Sequence, residues 1–526
     1  MNTKQIADIL LVSNHIFSAQ AQTKAPFPGA VAIVGNKIAA IVSPQEKDSW
    51  IGEKTKTYNL EDQVICPGFL DNHVFFTGHV WSHIGADLSE AATKKEAIAL
   101  LKAYGETIPE EEAILGHGLS MEVLEQEEDI QALLEAFGTR PVIGFTEGRN
   151  GCIMNRVAKE KYEFDETAIF AEKCYKVFDE FLRCESFIKE EYKAFSRLLA
   201  SRGVTAIKEI GFNQYSGFTK LLKEFEDKGE LIHRVNLVSQ AVGYPMDYEY
   251  AAECRDLFQG DFVRFMGFNV MVDGGAGTEI CSGNADLLAP YANNSSTSGG
   301  VGIDYEALEK AVLKADSLGF RCALHAEGDA AVRKTIDLFE KCIKVNGPRN
   351  ARHVITDLEL TDPSDLKRMK ELGIIATNYV QMMSCLGPFE DFYGYDCVGE
   401  ERMANYWNYR GMIDNGVVMC CGTDMPLTVP DIPMSVYLTV GRRFPEGKPA
   451  EGVNPAAAIK IEEILKAWTI NGQYSNFREN ELGTLEAGKL ADIAVLDSNI
   501  FDLPLEKIPE VKISLTICDG KVVYEK

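Results

Sequence analysis

Short apolar runs broken by turn residues crowd both ends of the chain, whereas its middle alternates strand-like runs with amphipathic stretches. Near the N-terminus Asp8-Ile-Leu-Leu-Val, Gly29-Ala-Val-Ala-Ile-Val and Lys37-Ile-Ala-Ala-Ile-Val read as strands, the last two joined by Gly35-Asn36, a hairpin signal. Leu490 to Asp497 and Val511 to Tyr524, the latter broken by an Asp519-Gly520 turn, answer them at the other end. Both termini, 1–63 and 476–526, are therefore expected to build one small β-sandwich.

Between these ends the apolar run from Val64 crosses Pro67-Gly68, continues as Phe69-Leu70 and stops at Asp71 and His73. A buried parallel strand delivers polar groups to its carboxyl end in this way. From Gly203 onward further strand candidates begin at Val204, Arg234, Phe268, Cys322, His353, Ile374 and Val417, separated by amphipathic stretches. Repeated βα units imply a parallel sheet, and with the opening run they predict an α/β fold, a (β/α)8 TIM-like barrel over 64–475. Residues 80–202 interrupt the pattern with amphipathic helices and two short strand-like pieces, Ala113 to Gly118 and Pro141 to Thr146. They are expected to be an insertion after the first barrel strand that roofs the barrel mouth.

With 526 residues the chain exceeds a single core, in keeping with a barrel plus a smaller domain. A net charge of -26 without a basic patch argues against nucleic-acid partners. The 13 cysteines form an odd set without a Cys-x-x-Cys pair, so thiols are expected rather than a disulfide framework or a zinc ribbon. Asp8 interrupts what would be the apolar part of a signal peptide, and no apolar run approaches a membrane span. The expectation is a cytoplasmic protein with a small-molecule substrate and no membrane partner.

Four polar residues fall at or just past predicted strand ends: His73, His325, Asp357 and Asp424. Imidazole and carboxylate groups converging from separate strands are what a divalent metal in a barrel mouth requires, because each strand end supplies one rigidly placed ligand. A lone strand-end histidine is as readily a satisfied core residue, and a lone aspartate a loop cap, so the weight lies in their co-occurrence. His79 and His83 lie just beyond the first strand, and Glu209 on the second is a possible replacement ligand or a salt-bridge partner. His117 points to substrate from the insertion or else sits at the surface.

The run Pro67-Gly68-Phe69-Leu70-Asp71-Asn72-His73-Val74-Phe75 resembles the first strand of the amidohydrolase superfamily, Pro-Gly-Phe-(Ile/Leu)-Asp-x-His-x-His. The amidohydrolase-3 branch, which includes N-substituted formamide deformylases, carries further landmarks in the same order. Its His-Ala-x-Gly-Asp is His325-Ala326-Glu327-Gly328-Asp329, and its Arg-His-Arg-Ile-Glu-His is Arg352-His353-Val354-Ile355-Thr356-Asp357. Its Gly-Ser-Asp is Gly422-Thr423-Asp424, a glycine-flanked Asp273-Gly274 follows the fourth strand, and its C-terminal element is matched by Leu482 to Asp492.

The resemblance implies a metal-dependent hydrolase with His73, His325, Asp357 and Asp424 as metal ligands. Asp424 and His325 would be catalytic, Asp424 as the base that takes a proton from water, and His79, His117 and Asn269 would contact substrate. Three family ligand positions are changed: Phe75 for His, Asn269 for the usual carboxylated Lys, and Asp357 for His. An apolar ring does not ligate and an amide is not carboxylated, so one divalent ion is expected rather than two, Mn²⁺ or Zn²⁺ with Fe²⁺ as a further candidate. Relatives imply an amide or cyclic C–N bond as substrate, and a homodimer. The rewritten ligands also resemble superfamily members of the dihydrophloroglucinol cyclohydrolase kind, which open cyclic 1,3-diones by C–C cleavage. The rival reading is a catalytically inactive barrel kept for binding or structure.

Overall fold

The computed structural model describes residues 6–147, 151–163, 177, 180–181, 184–211, 218–240, 246–274, 283–300 and 302–526. It divides into two compact units, one of Met1–Val74, Ala194–Gly211 and Lys223–Lys526, the other of Phe75–Lys193 and Phe212–Leu222.

In the first unit, β1 (Ile9–Ile16), β2 (Phe27–Val34), β3 (Lys37–Val42), β4 (Lys56–Asn59) and β5 (Val64–Pro67) join β18 (Ile493–Leu496), β19 (Ile513–Cys518) and β20 (Lys521–Glu525). They form one sheet in the order β20-β19-β18-β5-β1-β2-β3, with β4 alongside β1. Side chains alternate between faces, so Leu11, Val31, Ile33, Ile65, Val495 and Leu515 share one buried cluster while Leu10, Ala30 and Ala32 enter another. The pairing of both termini follows the expectation from their patterning.

Gly68 then carries the chain from this sheet into the barrel. A Cβ there would stand 2.1 Å from the Thr205 hydroxyl, so only glycine allows the two strands to pass so closely. The barrel consists of β6 (Phe69–Val74), β11 (Val204–Gly211), β12 (Arg234–Gln240), β13 (Val263–Met271), β14 (Arg321–Ala326), β15 (Val354–Asp357), β16 (Ile375–Asn378) and β17 (Met419–Cys421). All neighbouring pairs are parallel, in chain order. A parallel bridge between Val74 and Met425 brings the eighth strand beside the first. Ala323, Val354, Ile375 and Cys420 pack as a small apolar cluster inside it.

Sheet and barrel are tied by Arg234, buried at the start of β12. Its guanidinium donates two parallel bonds of 2.9 Å to Asp492 and one of 3.0 Å to Asp519. The second unit carries its own four-stranded sheet, β7 (Ala86–Asp87), β8 (Ile114–Leu119), β9 (Val142–Thr146) and β10 (Cys152–Met154). The helix Lys94–Gly105 contributes Ala97, Ile98 and Leu101 to the core under that sheet.

Among the described residues no helix is long and apolar enough to cross a membrane. Among the described residues most free cysteines are buried, as expected of thiols, but Cys397 is disulfide-bonded. Spacing along the sequence does not reveal such a bond, because pairing depends on which segments meet in space.

Candidate active site

The closing seam of the barrel places the first pair of candidate residues. The Asp424 backbone N–H donates to the His73 carbonyl at 3.0 Å, and His73 Nε2 lies 3.4 Å from Asp424 Oδ1. Two residues earlier, Asp71 buckles the same strands: its Oδ1 accepts from the His73 and Thr423 N–H groups, each at 3.1 Å, and its Oδ2 from the Thr423 hydroxyl at 2.6 Å. Gly422 permits this approach, since a Cβ there would come within 2.8 Å of His73 Cβ.

The second pair sits where β14 and β15 end. Ala326 and Asp357 are in register, and the pairing runs on through Leu358 N–H to Ala326 O at 3.1 Å and Leu360 N–H to Glu327 O at 2.9 Å. His325 Nε2 thereby lies 3.1 Å from Asp357 Oδ2 and 3.9 Å from Glu327 Oε1. Asp273 fixes the turn that follows, accepting from Glu327 N–H at 2.8 Å, Gly328 N–H at 3.1 Å and Asp286 N–H at 2.7 Å. Asp357 and Asp424 both hold a left-handed backbone, at φ +80° and +52°. Non-glycine residues adopt this only at a cost, and such strain gathers at functional sites.

The Tyr379 ring joins the two pairs, with centroids 5.0 Å from His73 and 6.2 Å from His325. Burial raises its hydroxyl well above the ordinary range, reinforced by the charges of Asp424 and Asp357. Burial holds the His73 imidazole well below its usual value, with Lys208 and His325 adding to the effect, so it stays neutral with a lone pair to give. For His325 burial acts downward but is outweighed by Asp357, Asp424 and Asp273, which lift it to about 9. The surroundings of His325 are thus built to hold positive charge.

Asn269, where relatives have lysine, is buried and donates to Gln240 Oε1 at 2.6 Å. Glu209 is buried in register with Leu237 and Val74. Alternation along β11 sets it on the face opposite Lys208, whose ammonium is held down to about 7 by burial and by Arg321, with Cys420 and Asp71 nearby acting the other way. His79 and His83 belong to the second unit, where their rings lie 4.6 Å apart and His83 Nε2 meets Glu191 at 2.9 Å. His117, in the same unit, contacts the Ile84 carbonyl through Nδ1 at 3.1 Å.

Two residues of the site escaped sequence reasoning. Glu327 was visible only as the variable position of a motif, and Tyr379 only as the last residue of the strand candidate that begins at Ile374. Strand register brings in Tyr379, while Glu327 enters through its place two residues past His325.

A second cluster, Asp316, Cys342 and His353, has ligand-capable atoms close together. There His353 Nδ1 accepts from Cys322 N–H at 3.1 Å and Nε2 faces Asp316 Oδ1 at 3.1 Å, while Asn346 and Arg349 donate to the same carboxylate at 2.8 and 2.7 Å. Both ring nitrogens are engaged, which makes this a structural hydrogen-bond network.

At the barrel mouth, His325, Glu327 and Asp357 each offer a ligand atom, all within 4.8 Å of one another. One imidazole and two carboxylates at this separation fit a single divalent cation.

Residues 56–524 match the model of the amidohydrolase family, Amidohydro_3. Over 99% of its length the chain is 23% identical to the protein LONG AFTER FAR-RED 3 of Arabidopsis thaliana, covering 92% of that protein. It is 28% identical to the N-substituted formamide deformylase of Arthrobacter pascens over 41% of this chain and 38% of that one. An uncharacterized metal-dependent hydrolase from Pyrococcus horikoshii superposes with a TM-score of 0.78 at 21% identity, over 94% of this chain and all but 1% of its own, since 99% is covered. An adenosine deaminase from Xanthomonas campestris with bound zinc gives 0.56 at 12% identity, over 99% and 93% of the two chains. With its barrel, its strand-end histidines and aspartates and this match over nearly all its length, the chain belongs to the amidohydrolase family.

Proposed function

We propose that the protein hydrolyses a small, cyclic carbonyl compound at the barrel mouth, with one divalent cation as cofactor. The observation that carries this reading is the meeting of His73 with Asp424 and His325 with Asp357 around Tyr379.

His73, His325, Asp357 and Asp424 would hold the cation. When bound, it would polarise the substrate carbonyl and acidify a water molecule. Asp424 would accept a proton from the attacking water and return it to the leaving group, a task suited to a carboxylate fixed by the strand seam. His73, kept neutral, orients Asp424 without competing for the proton. Tyr379 offers its hydroxyl, which stays protonated, as a donor to oxygen that gains charge during attack.

For the bond cleaved, the changes at Phe75, Asn269 and Asp357 support a substrate outside the common amide range. A cyclic 1,3-dione, opened at a C–C bond with an enolate as leaving group, fits this altered site, and a cyclic C–N bond is the alternative. A screen of cyclic diketones against N-acyl amines and cyclic ureides, with Mn²⁺ or Zn²⁺ supplied, tests the proposal. Turnover in either set supports it, and no hydrolysis in both points to the inactive-barrel reading, which the three altered ligand positions favour.

A further inference from the structure

We infer that Glu327 is itself a ligand of the cation and stands in for imidazole lost from this site. The inference rests on the metal-dependent reading above and adds to it a residue that the resemblance leaves as a variable position.

Three observations converge. Glu327 is 1% exposed, and its Oε1 and the Asp357 carboxylate both lie beside the same nitrogen, His325 Nε2, at 3.9 and 3.1 Å. A dication placed between two buried carboxylates and an imidazole is attracted by both carboxylates, more strongly than one imidazole proton is.

Space for the Glu327 carboxylate is provided by Gly274, at φ +77°, where a Cβ would stand 2.0 Å from Oε1 and 2.2 Å from Cδ. The cradle exists because residue 274 has no side chain.

The backbone of Glu327 is also held on both sides, its N–H donating to the Asp273 side chain at Oδ1 at 2.8 Å and its carbonyl accepting from Leu360 N–H at 2.9 Å. Anchoring of this kind is how ligand side chains are aimed before a metal arrives.

The donor set around His325 is then one nitrogen with two carboxylates. Oxygen donors suit harder ions such as Mn²⁺, so the advantage Zn²⁺ holds over Mn²⁺ at imidazole-rich sites shrinks here.

The test is metal binding, read without substrate. Protein stripped with chelator is titrated with Mn²⁺ by electron paramagnetic resonance and with Zn²⁺ by competition, for the wild type, Glu327→Gln, Glu327→Asp and Glu327→His, with thermal melts of each metal-free form. The isosteric Glu327→Gln is expected to bind Mn²⁺ at least about tenfold more weakly, and Glu327→His to raise the Zn²⁺-to-Mn²⁺ affinity ratio by a similar factor. Should Glu327→Gln not fold, Glu327→Asp is read in its place, with the same weakening expected. Unchanged Mn²⁺ affinity in the folded carboxylate variants, or an unchanged ratio in Glu327→His, overturns the assignment of Glu327 alone. A wild type that binds neither ion overturns the metal-dependent reading itself.

Discussion

His73 and Asp424 touch twice, once through backbone at 3.0 Å and once through side chains at 3.4 Å, so a single contact both completes the barrel and assembles half of the candidate site. Damage to one is therefore expected to reach the other.

Asp424→Asn keeps the backbone bond to His73 but removes the proton acceptor. The expected result is a fall in kcat of roughly 10²- to 10⁴-fold on any substrate found in the screen, with a melting temperature close to wild type. A variant that retains activity would assign the base elsewhere.

Thr423→Val deprives Asp71 of its 2.6 Å hydroxyl partner while the N–H bond at 3.1 Å remains. Burial already pushes the Asp71 carboxyl up to about 7 against those donors, so losing one is expected to cost about 1–3 kcal/mol. Urea denaturation reads the loss. Activity should fall with it, because the strand seam that carries Asp424 loosens.

Arg234→Met leaves the Asp492 carboxylate buried without its bidentate partner. Destabilisation of about 3–5 kcal/mol is expected from breaking a buried pair on one side. Metal affinity of the folded protein should be unchanged, since the contact ties the terminal sheet to the amino ends of the barrel strands, away from their carboxyl ends.

Acid should weaken the fold through Asp316. Burial raises its carboxyl, but the bonds from His353 and Asn346 and the charge of Arg349 outweigh that and leave it at about 2, below the ordinary 3.8. A group depressed in the folded state contributes stability above its unfolded value and loses it as pH falls through the folded one. The contribution, about 2 kcal/mol, is expected in full above pH about 5 and to fade between there and pH about 2. Stability measured against pH for the wild type and Asp316→Asn should converge at the acid end.

How much of this was legible in the sequence depends on the kind of contact. The opening barrel strand was readable because the apolar pair Phe69-Leu70 ends in Asp71 and His73, although the apolar run leading into it from Val64 belongs to the terminal sheet and is divided from the barrel at Gly68; the rest of the barrel followed from the repetition of such runs. β13 starts at Val263, earlier than its apolar pattern suggests, because Arg264 breaks the run yet is accommodated by Glu481 at 3.3 Å. Glu209 reads in the sequence as a replacement ligand or a salt-bridge partner, and spacing alone does not tell which barrel face it takes, since Lys208 and Glu209 alternate along β11. Tyr379 carries no local signal, since its place beside His325 arises from the lateral register of β14, β15 and β16, whereas Glu327 follows His325 by two residues, the spacing that returns to one strand face.

Metal content tests the central claim most directly. Protein purified without added metal and analysed by inductively coupled plasma mass spectrometry should contain close to one equivalent of Mn, Fe or Zn, and chelation should lower its melting temperature until Mn²⁺ or Zn²⁺ is restored. A preparation that is metal-free, takes up neither ion and melts at the same temperature with or without them would contradict the account.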